Sequence, residues 1–345
     1  MTLKSLAGFK SLETHHCVTG SMRQVYVYNG HDISEDMLLG LGAGVSFIYW
    51  HQKGMPPFVG GRGSPRPSME EIAGRRTGVK IALHTTSSAS KARKALLEML
   101  DAGQPVMLQC DMGFLPYFDF GGSEYHFGGH AVVVCGYDPA TEQVLIADRD
   151  EELHPVSMED LEKARGSTYK PFPPGNRWYT FDFGGKRQPT AEEVRQAIVE
   201  QARPMLEPPI SNIGVKGIRK AARMVPGWPD SLGADELRGA LFNTYIFINA
   251  VGGTGGGAFR YMFSRFLREA AGIVGEPRLE ESAAEFQGIG DAWEELGEWF
   301  RQTSKAPDPA SILSECVAPL NALAEREEAA WGRLREVVHG GSRSD

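Results

Sequence analysis

Apolar positions along the chain follow two different periods, and the change falls near residue 185. Upstream, short β-branched and aromatic runs over 105–110, 130–138, 143–148 and 177–183 read as strands. Residues 90–100 repeat apolar side chains at helical spacing and stop near Gly103, and 158–165 reads as a shorter helix. Cys17 opens a helix that continues to Tyr28, where Asn29-Gly30-His31 breaks it, and Ser34 is placed to cap a second short helix. The stretch 72–83 is expected to supply a strand ending at His84, and the Gly/Pro/Arg-rich stretch 56–67 a mobile loop. Residues 114–129, rich in aromatics and glycine, predict a loop lying over a cleft. After Thr190 the period becomes helical throughout, over 191–202, 211–224, 231–250, 259–272, 280–303 and 310–338, the last interrupted by Pro319.

The expected class is therefore α+β, with a mixed or antiparallel sheet over 1–185 and a mainly α-helical domain over 190–340, joined across the Gly/Pro-rich segment 183–189. A chain of 345 residues with formal charge −8 has no basic stripe, which argues against nucleic acid as a partner. No apolar run reaches bilayer length, and the first residues lack the apolar core of a signal peptide, so the expectation is a cytoplasmic protein that stays off the membrane. Nothing in the sequence decides between a monomer and a homo-oligomer. Cys17, Cys110, Cys135 and Cys316 are scattered without a Cys-x-x-Cys pair, which argues against a disulfide framework or a structural zinc site; no metal and no cofactor is expected.

Charge at a helix N-terminus favours a thiolate over a thiol, so Cys17 is placed to act as a nucleophile. A cysteine opening an early helix, a histidine beginning a later strand and an acid closing the next strand follow a papain-like order, here Cys17, His130 and Asp148. Cys17 would attack a carbonyl carbon, His130 would take and return its proton, and Asp148 would fix the imidazole tautomer. Each has a plainer alternative: a packed thiol, a strand-end histidine held by backbone, and a turn acid. Gly128-Gly129 would leave the His130 ring open to a cleft. His16 is a candidate oxyanion donor, with helix capping as its alternative. Glu35 is a candidate for substrate contact, although a carboxylate opening a helix is favourable on structural grounds alone. Five glycines lie between 252 and 257 ahead of a helix, so Gly253, Thr254, Gly255, Gly256 and Arg260 are candidates for holding an anionic part of a substrate. Tight helix packing is the equal alternative there. No Lys-Ser/Thr follows the glycines, so this is not a Walker A loop.

The run His16-Cys17, Tyr28-Asn29-Gly30, 34–38 and Gly40-Leu41-Gly42, with Gly128-Gly129-His130 and Gly136-Tyr137-Asp138, resembles the N-terminal domain of the butirosin-biosynthesis acyltransferase family. The segment 252–269 resembles the helical domain of unknown role that often accompanies it. The resemblance implies a papain-like thiol acyltransferase of natural-product biosynthesis. Its acyl donor would be a carrier-protein or other small thioester, and its acceptor a small-molecule amine. Cys17 would hold the acyl group, and His130 and Asp148 would complete the site. The sequence departs from papain-like peptidases in lacking a glutamine just upstream of Cys17, so backbone amides or His16 would have to serve the oxyanion. Hydrolysis of an amide by the same three residues, and a non-catalytic scaffold that keeps the fold, are the competing functions.

Overall fold

The computed structural model describes residues 3–52, 55–63, 67–122 and 124–340. The chain divides into two compact units. One takes in residues 1–38 and 77–188, the other residues 39–76 and 189–345.

The first unit is built on a six-stranded antiparallel sheet in the order β3-β8-β4-β5-β6-β7. Its strands are β3 (Lys80–His84), β4 (Val106–Cys110), β5 (His130–Asp138), β6 (Gln143–Ala147), β7 (Leu153–Ser157) and β8 (Trp178–Asp182). Alternation places Val106, Leu108 and Cys110 of β4 and Val132 and Val134 of β5 on one face. There they form a core with Leu96 and Leu100 of α4 (Ala89–Asp101) and with Met158, Leu161 and Ala164 of α5 (Met158–Gly166). The opposite-parity residues Ala131 and Val133 are buried as well, and α1 (Cys17–Tyr28) packs along β4 and β5. Burial on both faces explains why β5 reads as an unbroken apolar run.

Two elements escape the periodicity. The expected strand over 72–83 is in fact helix α3 (Met69–Arg76), a turn at Gly78 with φ 71°, and then β3. The reason is a capping box: Glu71 N–H donates to Ser68 Oγ at 3.3 Å and Ser68 N–H to Glu71 Oε2 at 2.9 Å. The edge strand β7 carries Pro155, whose missing N–H is tolerated only at an edge or bulge.

The second unit holds α6 (Ala191–Leu206), α7 (Gly214–Met224), α8 (Ala234–Ile248), α9 (Arg260–Val274), α10 (Arg278–Lys305) and α11 (Val317–Gly340). Pro319 falls in the first turn of α11, where its absent N–H costs nothing. All strands after Pro189 are absent among the described residues, but the unit includes an antiparallel pair from earlier in the chain, β1 (Val45–Trp50) and β2 (Phe58–Arg62). β2 lies inside the stretch expected to be a loop; residues 64–66 of that stretch fall outside the described residues. Its glycines have a packing reason, since a Cβ on Gly61 would strike the backbone carbonyl of Ala258. Phe47 of β1 stacks on Trp293 at 5.4 Å, and Trp228 Nε1–H donates to Tyr49 Oη at 3.0 Å.

Candidate active site

Helix α1 begins at Cys17 and is capped by His16, whose ring Nδ1 accepts from Thr19 N–H at 3.4 Å and lies 3.0 Å from Thr19 Oγ1. The turn before it is held from below by Glu35, the first residue of α2 (Glu35–Leu41), which Ser34 caps through Met37 N–H at 2.9 Å. Glu35 Oε2 accepts His15 N–H at 2.9 Å; Oε1 accepts His16 N–H at 2.8 Å and the Thr19 hydroxyl at 3.0 Å. Burial pushes the Glu35 carboxyl up, against the opposing pull of those two amides and the hydroxyl. Both carboxylate oxygens are thus engaged by the chain's own donors around the nucleophile turn. Glu35→Ala strands three buried or half-buried donors at about 1–3 kcal/mol each at most. We expect a lower melting temperature together with slower alkylation of Cys17, whereas Glu35→Gln, keeping one acceptor oxygen, loses less of both.

Two ties bind this segment to the end of β6. Thr14 N–H donates to Arg149 O at 2.9 Å, and Gln24 Nε2 donates to Asp148 O at 2.6 Å. They bring α1 alongside Asp148, while β5, lying next to β6, delivers His130 from its first position. His130 Nε2 and Asp148 Oδ2 are 2.7 Å apart, with both side chains 4% exposed. Cys17 is, after Asp148, among the groups whose proximity raises the His130 imidazole. Cys17 is half-buried, in contrast to the three other cysteines. Of the three residues singled out from chain order, His130 and Asp148 are in direct contact, and Cys17 opens the helix tied to the end of β6.

Electrostatics favours a charged His130. Burial by itself lowers its imidazole; the Asp148 carboxylate and then Cys17 outweigh that and push it up to about 10. Burial likewise works against the Asp148 carboxylate, but His130, with Arg149 and the Tyr117 hydroxyl, holds it below the usual aspartate range.

The 114–129 segment closes over this pair rather than opening it. Tyr117 Oη donates to Asp148 Oδ2 at 2.9 Å, and the Phe118 ring meets His130 edge-on at 5.5 Å between centroids. Gly128 is required because a Cβ there would strike Phe172 O and Pro174; it serves close packing of the loop, and His130 itself is buried. Tyr117 was not among the residues marked by the sequence. Its only signal was a hydroxyl within an otherwise apolar aromatic run.

The glycine-rich candidates belong to the second unit. Thr254 Oγ1 donates to the carbonyls of Ile248 and Asn249 at 2.9 Å and accepts Gly256 N–H at 3.1 Å. Gly257 N–H donates to Glu294 Oε1 at 2.7 Å. Gly253, Gly255, Gly256 and Gly257 all take positive φ, which makes them glycine positions on conformational grounds. Arg260 is fully buried, its Nε on Glu327 Oε1 at 2.8 Å and its Nη1 on Ser46 O at 2.8 Å and Ala258 O at 2.6 Å. These groups bond to one another and to α8, α10, α11 and β1 of the same unit. Among the described residues no three His, Cys, Asp or Glu side chains converge to hold a metal, and no helix is long and apolar enough to cross a membrane.

No curated protein matches the chain at a significant level. Two family models do. Residues 16–149, which include Cys17, His130 and Asp148, match the one described as butirosin biosynthesis protein H, N-terminal, a papain-like domain in keeping with a cysteine-dependent, biosynthetic acyl-transfer family. Residues 159–334 match the one described as a domain of unknown function, DUF4872. With that match spanning half of its length, the chain belongs to the DUF4872 family, in the arrangement that places a butirosin biosynthesis protein H N-terminal domain ahead of it.

Proposed function

We propose that the protein is an acyltransferase that carries its acyl group on Cys17, taking it from a carrier-protein or small-molecule thioester and giving it to a small amine in a biosynthetic route. The observation supporting this most directly is the buried His130–Asp148 pair at 2.7 Å, with the half-buried Cys17 thiol at the start of α1 among the groups that raise the imidazole. Cys17 attacks the thioester carbonyl as a thiolate, with its proton already on His130. The tetrahedral oxyanion forms against the first turn of α1, where the helix dipole favours negative charge. Collapse expels the donor thiol, which leaves with the proton from His130, and Cys17 is acylated. His130 then takes a proton from the attacking amine, and the amide departs as the thiolate is regenerated. Thioester exchange is nearly isoenergetic, so amide formation supplies the downhill step. The burial of His130 and Asp148 beneath Phe118 and Tyr117 keeps water from the base and favours transfer over hydrolysis.

The test is mass spectrometry of the intact chain after exposure to acyl N-acetylcysteamine thioesters. We expect an adduct on Cys17 that disappears in Cys17→Ala and discharges to amide when amines are added. Discharge only to the free acid would make the protein a hydrolase, and no adduct from any donor would leave it a scaffold.

A pH dependence follows from the raised His130. Its charged form stabilises the folded site fully below the unfolded value of about 6.5, and this contribution is lost as pH rises through about 10. Acylation should therefore hold across neutral pH and fall on an alkaline limb near 10, and Asp148→Ala should draw that limb down toward the unshifted value.

A further inference from the structure

Asp148 Oδ2 is shared. It lies 2.7 Å from His130 Nε2 and accepts the Tyr117 hydroxyl at 2.9 Å, while Asp148 Oδ1 is buried without a hydrogen-bond partner. Two donors on one oxygen fix the carboxylate plane more firmly than one would. The tyrosine is itself fixed on both sides. Its ring stacks on His154 of β7 at 4.1 Å and 19°, and His154 Nε2 lies 3.0 Å from both oxygens of Asp150. Its loop is cinched at both ends by one carboxylate, Asp111, which is fully buried. Asp111 Oδ1 accepts the N–H groups of Gly113 and Phe127 at 3.1 Å each, and Oδ2 accepts Ser167 Oγ at 2.5 Å and faces His126 Nδ1 at 2.9 Å. Asp111 follows Cys110, the register partner of His130, so the loop is anchored beside the strand end that carries the histidine.

We infer that Tyr117 is a positioning residue of the Cys17 site, holding Asp148 in its charged form and in line with His130, and that the Asp111-cinched loop exists to deliver it. This rests on the reading of Cys17, His130 and Asp148 as the reacting set. The phenol remains a donor throughout, because burial and the neighbouring Asp148 push it well above its ordinary range. The other titratable or charged groups facing the pair are Cys17, Cys110, Arg149, Asp150 and His154.

Removing the hydroxyl leaves Asp148 easier to protonate. A protonated Asp148 no longer supports the His130 imidazolium, and Cys17 then returns to a thiol. The experiment is the pH dependence of Cys17 alkylation by iodoacetamide in the full chain, which needs no acyl donor. In Tyr117→Phe the acid limb should move up by about one pH unit, the size expected for one hydrogen bond to a charged group. Replacing Tyr117 with a ring-fluorinated tyrosine, a stronger donor of nearly the same shape, should move it the opposite way. A purely structural tyrosine would change the melting temperature and leave both limbs in place. Superimposable profiles in the two variants, or shifts in the same direction, overturn the inference. His130→Ala run in parallel separates the two levels. If it also leaves the profile unchanged, the reading of the reacting set falls; if it alone changes the profile, only the role of Tyr117 does.

Discussion

Iodoacetamide at about pH 6 should label Cys17 and leave Cys110, Cys135 and Cys316 untouched, because burial holds the latter three as thiols. Burial pushes each of the other three thiols up to about 12. At that pH they present roughly one thiolate in a million, before any allowance for the packing that shields them. Cys110 and Cys135 lie within β4 and β5 with no exposed surface, and Cys316 is 1% exposed beside α11. Cys17 is half-buried, opens a helix, and joins Asp148 among the groups that raise the His130 imidazole. Limited alkylation followed by peptide mass spectrometry reads the selectivity directly. His130→Ala should slow the labelling of Cys17 by at least tenfold, about 1.4 kcal/mol of lost support for the thiolate. Label spread evenly over four cysteines, or a rate on Cys17 indifferent to His130, would remove the case for an activated nucleophile.

The second large effect lies in the helical unit. Glu327 has no exposed surface and accepts three donors: Arg260 Nε at 2.8 Å, Trp293 Nε1 at 2.8 Å and Trp331 Nε1 at 2.7 Å. The Arg260 guanidinium lies 5.8 Å over the Trp293 ring and spends its Nη1 on two carbonyls. Glu327→Leu would leave a buried cation without its anion and two indole N–H groups without acceptors. Breaking such a pair from one side costs about 3–5 kcal/mol. Urea unfolding of the full chain should show that loss. The double variant Arg260→Met, Glu327→Leu should recover much of it, since an apolar pair of similar volume removes the stranded charge. A single-variant loss under about 1 kcal/mol would mean the cluster is better hydrated than its burial indicates.

The sequence made some of this legible and hid the rest for identifiable reasons. The strands over 130–138 and 143–148 could be read because burial on both faces leaves a long apolar run, and the pairing of His130 with Asp148 because strand order brings those two ends together. Tyr117 could not be read: its partner lies two strands away, and only the closed loop brings the hydroxyl to Asp148 Oδ2. Glu35 was visible as a helix-opening acid, but not as the acceptor of the amides at residues 15 and 16. The glycines at 253–257 announced tight geometry without saying what their amides meet, and Glu294 is far along the chain. β7 was hidden by Pro155, and α3 by an apolar pattern too short to separate the two periods.

The placement of residues 39–76 bears on how the protein is made. During synthesis the β1–β2 pair leaves the ribosome early, yet its compact unit is completed by residues from 189 onward. Phe47 and Tyr49, both buried in the finished protein, must wait for Trp293 and Trp228. At typical elongation rates of about 5–20 residues per second, that wait lasts on the order of ten seconds or more. Through it the nascent chain carries an apolar hairpin whose unit is not yet complete. Such a chain invites chaperone capture during translation, and its yield in a heterologous host should respond to translation speed more than a contiguous two-domain protein of the same size would.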